Sequence, residues 1–358
     1  MPHIKLAHWP APISVGRGTI LETALAAGVP FPHGCMSGEC GTCKCHLAAG
    51  EVVHDSHSPD ALSESEHRAG FILACRARPR GDIELKCVTP QDPMLAFPVR
   101  RIRARVVRKS AATHDVTRLR LEVLDSPLAF AAGQFAKLKI ANLPARSYSM
   151  ANHPHEALLE FHIRRAPEGV VSNYVANALR VGDEVKLEGP FGTACWHAPR
   201  PGPLLLVGGG TGLAPLKSVL AEALIARQSP IYLYHGVRDE RDLYDSDELT
   251  RLAVQGRIHY VPVLSDPSTP TTRRAGFVHC AIGEDFRSLG EFQLFIAGPP
   301  PMVEAMRALA LTLGAAPNDI AADPFHHTDP DLGGLLARLR GWLGGRVTAS
   351  AAISQSRA

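Results

Sequence analysis

The chain has 358 residues, of which 45% are hydrophobic and 20% charged, with a formal net charge of +3. That length suits two or three ordinary domains with packed cores, and so small a charge gives no argument for nucleic acid, which is not expected as a partner. No apolar stretch approaches the ~20 residues of a membrane helix, and Met1 to Pro10 lack the apolar run of a secretion signal, so a soluble, cytoplasmic protein with no membrane span is expected. Charge is uneven along the chain. Residues 1–95 hold 8 basic and 10 acidic side chains, 96–200 hold 16 and 9, and 201–325 hold 10 and 14. A basic middle between acidic flanks suits a domain that holds an anionic ligand, although ordinary surface variation gives the same numbers.

The first segment carries a cysteine cluster. Cys35, Cys40, Cys43 and Cys75 follow C-x4-C-x2-C-x31-C, the plant-type 2Fe–2S spacing. Gly34, Gly38 and Gly41 lie among them. Without a Cβ, these positions can take positive φ and let the loop wrap closely, with N–H groups aimed at sulfur. The alternative is structural zinc, whose usual pattern is two C-x-x-C knuckles; here there is one knuckle and a distant fourth cysteine, which favours iron–sulfur. Cys45 is expected to point away from the metal, and Cys87, Cys195 and Cys280 read as isolated thiols.

Thr89–Pro98 carries three prolines and reads as a linker. From there the pattern is β, with strands expected at Arg101–Val107, Val116–Val123 and Gln134–Ile140, and helix is sparse until about Asn173. Arg146-Ser147-Tyr148-Ser149 has the residue types for a flavin at the end of a barrel strand. An arginine can pair with a phosphate, a tyrosine can stack on the isoalloxazine, and a serine hydroxyl can bond flavin N5. Gly169-Val170-Val171-Ser172 opens a helix, and N–H groups there with a serine hydroxyl make an anion site. Gly189-Pro190-Phe191-Gly192 reads as a turn where the barrel closes. Each piece alone is weak; their order and spacing give them weight.

A second Pro-rich boundary falls at Ala198–Pro203. Beyond it, strands at Leu204–Val207, Ile231–Gly236, Ile258–Leu264 and Gln293–Ala297 alternate with helices at Leu213–Arg227, Asp245–Ala253 and Met302–Leu313. That alternation implies a parallel sheet with right-handed crossovers. After the first strand comes Gly208-Gly209-Gly210-Thr211-Gly212-Leu213-Ala214-Pro215. Glycines here let the backbone approach a pyrophosphate at a helix N-terminus, although an ordinary tight βα turn shares the pattern. Past residue 325, Leu332, Leu335, Leu336, Leu339, Trp342 and Leu343 recur at helical spacing. They read as an amphipathic helix docked on its own domain or serving as an interface.

In this order the motifs resemble the reductase components of bacterial multicomponent oxygenases, of the naphthalene dioxygenase reductase type, over roughly residues 1–325. Tyr234–Arg238 with Asp242–Tyr244, Ile296–Met302 and Asp323-Pro324-Phe325 add to the likeness. The resemblance implies an α+β and α/β multidomain fold. A β-grasp 2Fe–2S ferredoxin would span 1–92, an antiparallel β-barrel for FAD 98–199, and a doubly wound parallel sheet for NAD(P) 200–325, with an extension at 326–358. It implies cluster ligation by the four cysteines and flavin contacts from Arg146–Ser149 and Gly169–Ser172. Nucleotide contacts would come from Gly209, Gly210, Thr211, Gly212, Pro215, Arg238, Gly298 and Pro299. Phe325 would cover the flavin, and Ser149, Ala297 and Phe325 would stand where hydride passes. FAD is favoured over FMN because the ferredoxin segment comes first. NADH is favoured over NADPH because Asp239 and Glu240 repel a 2′-phosphate, although Arg238 attracts one. Two features depart from the family: Ala297 stands where a cysteine is common, and the chain runs 33 residues past Phe325. The implied activity is electron transfer from NAD(P)H through FAD and the cluster to an oxygenase component or an intermediate electron-transfer protein. A haem-thiolate monooxygenase or a desaturase-like di-iron enzyme is an alternative partner. A zinc-stapled binding adaptor with a vestigial nucleotide fold is the reading from another class.

Overall fold

The computed structural model of the chain describes residues 2–7, 9–16, 18–29, 31–87, 97–226, 228 and 230–326. Three main sheets follow one another along it, each with apolar cores of its own. Most of the expected linker and the expected tail helix lie outside the described residues.

The first sheet has five strands in the order Ile13–Ser14, His3–Leu6, Ile83–Cys87, Lys44–Ala49, Phe71–Leu73. His3–Leu6 and Ile83–Cys87 run parallel at its centre. The helix Ile20–Ala26 covers one face, sending Ile20, Leu21 and Ala24 into the core. Thr19 caps it with a reciprocal Thr19–Glu22 box, which satisfies two free N–H groups of the first turn. This is the β-grasp arrangement.

The second sheet is antiparallel, six strands in the order Arg146–Ser149, Phe135–Ile140, Glu184–Phe191, Arg100–Ala111, Val116–Val123, Leu158–Arg164. A bridge between Met150 and Phe161 joins its two ends, so the sheet closes on itself. The alternation along Arg100–Ala111 builds the wall: Ile102, Ala104 and Val106 point into the core while the arginines between them face out. The segment Gly189–Phe191 is strand rather than the expected turn. Gly189 pairs with Arg100 and Phe191 with Phe135, so the chain turns only at Gly192, whose φ is +95°.

The third sheet is wholly parallel, in the order Arg274–Ala275, His259–Leu264, Ile231–Val237, Leu204–Gly209, Gln293–Gly298, Ile320–Pro324. Every residue of Leu204–Gly209 and of Gln293–Gly298 is buried, as central strands of such a sheet must be. Strand order reverses between these two, which opens a crevice at their carboxyl ends. The four helices are Leu213–Ile225, Ser246–Val254, Val278–Asp285 and Pro300–Thr312. Val278–Asp285 escaped the sequence pattern.

Candidate active site

The four cysteines come together. The Cys35 thiol accepts from the N–H groups of Cys40 at 3.3 Å and of Ser37 and Glu39 at 3.4 Å each. The Cys40 sulfur accepts from the Cys35 N–H at 3.3 Å and lies 3.2 Å from the Thr42 hydroxyl. The neighbouring Cys40 thiol, and after it the donors of Ser37 and Glu39, hold the Cys35 thiol down at about 4 despite burial. Cys75 does the same for Cys43, holding it below the usual thiol range. The sulfurs therefore pair as Cys35 with Cys40 and Cys43 with Cys75. A zinc ion bonded at about 2.3 Å would draw all four to within about 3.8 Å of one another. Among the described residues, no group of three or more cysteines meets even a 4.8 Å limit. Two pairs with N–H donors fit two irons better than one zinc. Cys45 is fully buried in the core of the sheet behind.

The other candidate residues meet at a junction of strand ends. Ser149 ends Arg146–Ser149, and its hydroxyl donates to Asp323 Oδ2 at 3.5 Å. Asp323 sits in register beside Ala297, and Ala297 beside Gly208. The Phe325 N–H donates to Gly298 O at 2.8 Å, which fixes the chain leaving the sheet. Part of Asp323 stays accessible, but its carboxyl is enclosed. That desolvation pushes it up to about 7, with Ser149 opposing and the charge of Cys35 adding to the rise. Asp323 thus touches the barrel through Ser149 and the nucleotide sheet through Ala297. Sequence reading placed it only in a terminal motif; the acidic residue two before the aromatic was the available signal.

The nucleotide loop is built by close packing. Gly208 and Gly209 finish their strand, and Gly210–Gly212 form one 3-10 turn ahead of Leu213–Ile225. A Cβ on Gly212 would sit 2.0 Å from the Ala297 carbonyl, and one on Gly209 2.6 Å from the Met302 sulfur. Thr211 and Pro215 lie at the start of the helix, while Gly298 and Pro299 of the neighbouring strand end press against Gly209 and Gly212. Burial pushes His235 down to about 4, so its ring is neutral and Nε2–H donates to Gly210 O at 3.0 Å. Tyr244 stands edge-on to His235, and its hydroxyl lies 3.1 Å from His162 Nδ1. His162 Nε2 meets Glu160 at 2.9 Å. Burial works against the Glu160 charge, yet its bonds to His162 and Arg120 hold it at about 2. Arg118 of the barrel reaches both Glu160, at 3.4 Å, and Asp245, which Lys217 also holds at 2.5 Å, and so ties this network to the nucleotide module.

Two expected ligands are engaged otherwise. The Ser172 hydroxyl donates to Gly169 O and accepts from the Ala166 N–H, at 3.1 Å each, so it braces the loop before Val170–Asn177. The N–H groups of Val170, Val171 and Ser172 remain as those of a first helical turn. Arg238 gives Nε and Nη2 to Asp242 at 2.8 and 3.2 Å, and Nη2 also to Asp115 at 3.2 Å. Two carboxylates thus neutralise the cation that sequence reading offered to a 2′-phosphate. Asp239 accepts from the Ser268 hydroxyl at 2.6 Å, which holds its carboxyl below the usual range. Arg146, by contrast, has no carboxylate partner among the described residues and only its neighbour's carbonyl at 3.1 Å. Tyr148 is half-buried against the barrel core.

A thiol-bearing β-grasp module, a closed antiparallel barrel and a doubly wound sheet define a flavin- and iron–sulfur-dependent oxidoreductase. The chain matches the 2Fe-2S iron-sulfur cluster binding domain family over residues 11–80, the oxidoreductase FAD-binding domain over 103–196 and the oxidoreductase NAD-binding domain over 206–308. It is 39% identical over 312 residues to the ferredoxin–NAD(P)(+) reductase component of naphthalene 1,2-dioxygenase/salicylate 5-hydroxylase systems from Ralstonia, covering 86% of this chain and 93% of that one. It is 40% identical over 297 residues to the reductase subunit of an aromatic O-demethylase from Amycolatopsis, covering 80% and 87%. Among solved structures, a cytochrome P450 reductase from Amycolatopsis superposes with a TM-score of 0.82 at 35% identity, covering 91% and 99%. The chain belongs to the family of ferredoxin–NAD(P)(+) reductase components of oxygenase systems. It carries a 2Fe–2S cluster, FAD and NAD(P)H as its redox groups and moves electrons between them. No helix among the described residues is long and apolar enough to cross a membrane.

Proposed function

We propose that this chain takes a hydride from NADH and passes single electrons to the terminal component of an aromatic-ring oxygenase, directly or through an intermediate carrier, in the cytoplasm. The observation that carries the reading is the junction at Asp323, where the Ser149 strand end of the barrel meets the Ala297 strand end of the nucleotide sheet. When bound, the flavin converts a two-electron hydride into one-electron steps. In this reading residues 1–92 hold the cluster through Cys35, Cys40, Cys43 and Cys75. Residues 98–199 hold FAD through Arg146–Ser149 and the first turn at Gly169–Ser172. Residues 200–325 would hold the nucleotide along Gly209–Gly212, Pro215 and Ala297–Pro299, and Phe325 would cover the flavin. Ser149, whose hydroxyl donates to Asp323, would offer that hydroxyl to the flavin ring. Asp323, poised near 7, holds or releases a proton at Oδ2 through that hydroxyl.

The charge pattern favours NADH. Arg238 is spent on Asp115 and Asp242, and the ionised Asp239 repels a 2′-phosphate. The likeness to a P450 reductase supports a second reading, with a haem-thiolate oxygenase as acceptor. The test is steady-state reduction of ferricyanide and of a purified one-electron acceptor protein by the holoprotein, with NADH or NADPH. NADH should be more efficient by at least about tenfold, or ~1.4 kcal/mol, and both acceptors should turn over. Equal efficiency with NADPH would overturn the cofactor preference, and an inert acceptor protein would overturn the electron-delivery role.

A further inference from the structure

A second contact, made by His33, joins the cluster module to the barrel. His33 stands two residues before Cys35 and is 6% exposed. Its Nδ1 lies 2.7 Å from the Phe31 carbonyl. A carbonyl can only accept, so Nδ1 carries the ring proton and Nε2 keeps a lone pair. That lone pair accepts the N–H of Gly192 at 3.1 Å, across 159 positions of sequence. A bond that served only to fold the cluster module would stay within it; this one leaves it.

The receiving side is a built socket. The Gly192 carbonyl accepts from Gln134 Nε2 at 3.0 Å, while Gln134 Oε1 accepts from the Ala131 N–H at 2.8 Å. The Gly192 peptide is therefore held from the barrel on one side and by His33 on the other. The imidazole stands edge-on to Phe191, at 6.2 Å and 87°. Phe191 is itself fixed by Phe135 at 5.7 Å and by the Lys137 ammonium 5.1 Å over its face. Gly192 has φ +95°, and a Cβ there would lie 3.0 Å from the Phe135 ring, so the turn has little freedom to follow a misplaced partner.

We propose that His33 is a positioning residue that docks the cluster loop onto the flavin barrel and so sets the separation across which electrons reach Cys35. The ring supplies the acceptor, its tautomer is fixed by Phe31, and Gly34, where a Cβ would lie 3.1 Å from the Cys40 sulfur, carries the placement to Cys35. Loss of the acceptor leaves the part-buried Gly192 N–H without this partner, which favours undocked arrangements.

The test compares His33→Phe, which keeps a ring but offers no acceptor, with His33→Gln, which returns an acceptor at similar reach. In His33→Phe the iron and sulfide content, the electron-spin-resonance signal of the reduced cluster and NADH-driven ferricyanide reduction should match the parent. The rate at which NADH-derived electrons reach the cluster, followed by stopped flow, should fall roughly tenfold, the factor a lost buried hydrogen bond carries. Small-angle scattering should show a wider particle, and His33→Gln should restore most of the rate. Gln134→Leu loosens the socket without touching the cluster module and should give the same selective loss. The inference rests on the flavin lying in the barrel, and a failure of that premise would show as lost ferricyanide reduction in the parent. Unchanged cluster reduction in His33→Phe would overturn the proposal. Loss of iron in both His33 variants would also overturn it, by making the residue a support of the loop alone.

Discussion

The cluster loop and the nucleotide loop both depend on glycine, for different physical reasons. In the cluster loop the need is conformational. Gly38 and Gly41 hold φ of +86° and +71°, and the backbone they bend aims N–H groups at thiol sulfur. In the nucleotide loop Gly210 alone takes a positive φ, of +55°, and the need at Gly209 and Gly212 is room. Gly212 has an ordinary helical φ of −58°, yet a Cβ there would press 2.0 Å from the Ala297 carbonyl. The first loop turns on itself to build a local site. The second lets two strand ends touch, and that touch forms the cleft. A side chain should therefore damage the first by strain and the second by collision.

The largest expected effect is Gly212→Ala. The new methyl meets backbone, which cannot rotate away, so overpacking should cost about 3 kcal/mol or more. NADH-driven flavin reduction should be lost while iron content stays at the parent level; retained flavin reduction would mean that the two strand ends can part. Gly41→Ala should cost about 1–2 kcal/mol from its left-handed backbone, plus a 3.1 Å approach to the Ala61 carbonyl. Iron analysis should show cluster loss with ferricyanide reduction intact, and full iron occupancy would break the contrast between the loops.

Asp323→Asn probes the junction through pH. The parent carboxyl rises in the folded state from 3.8 to about 7. Folding therefore gains from its proton below about 4, and that gain is lost as pH rises through about 7. Thermal unfolding of the parent should move down by a few degrees across this window, and the variant should move less. The smallest effect is expected from Ala297→Cys. A thiol at this buried strand end should hold the nicotinamide closer and speed flavin reduction by about two- to tenfold, within the ~100-fold that an ångström of misplacement can cost. An equal or slower stopped-flow rate would show that the site does not use this position.

The two loops were legible in sequence because each is nearly contiguous. Three cysteines and three glycines fall within ten residues, and the strand–glycine–helix order of 204–225 is read along the chain. The junction was not legible in the same way. Ser149 and Asp323 are 174 positions apart, and Arg238 is neutralised by Asp115 from 123 positions away, so no local pattern announces either contact. Gly189–Phe191 looked like a turn because Gly and Pro usually break strands; pairing with Arg100 and Phe135 on both sides overrode that preference. The Ser172 hydroxyl looked free for an anion, and only the folded loop shows it bound to Gly169 and Ala166.

The proposed electron path is a single one, from nucleotide through flavin to cluster, with barrel and nucleotide sheet meeting at Asp323. Anaerobic mixing of the holoprotein with NADH, with flavin and cluster absorbance followed together, tests it most directly. The flavin band should bleach first and the cluster band should follow at a rate set by flavin reduction, with no cluster reduction in protein stripped of flavin. Cluster reduction that precedes the flavin, or that persists in flavin-free protein, would contradict the account.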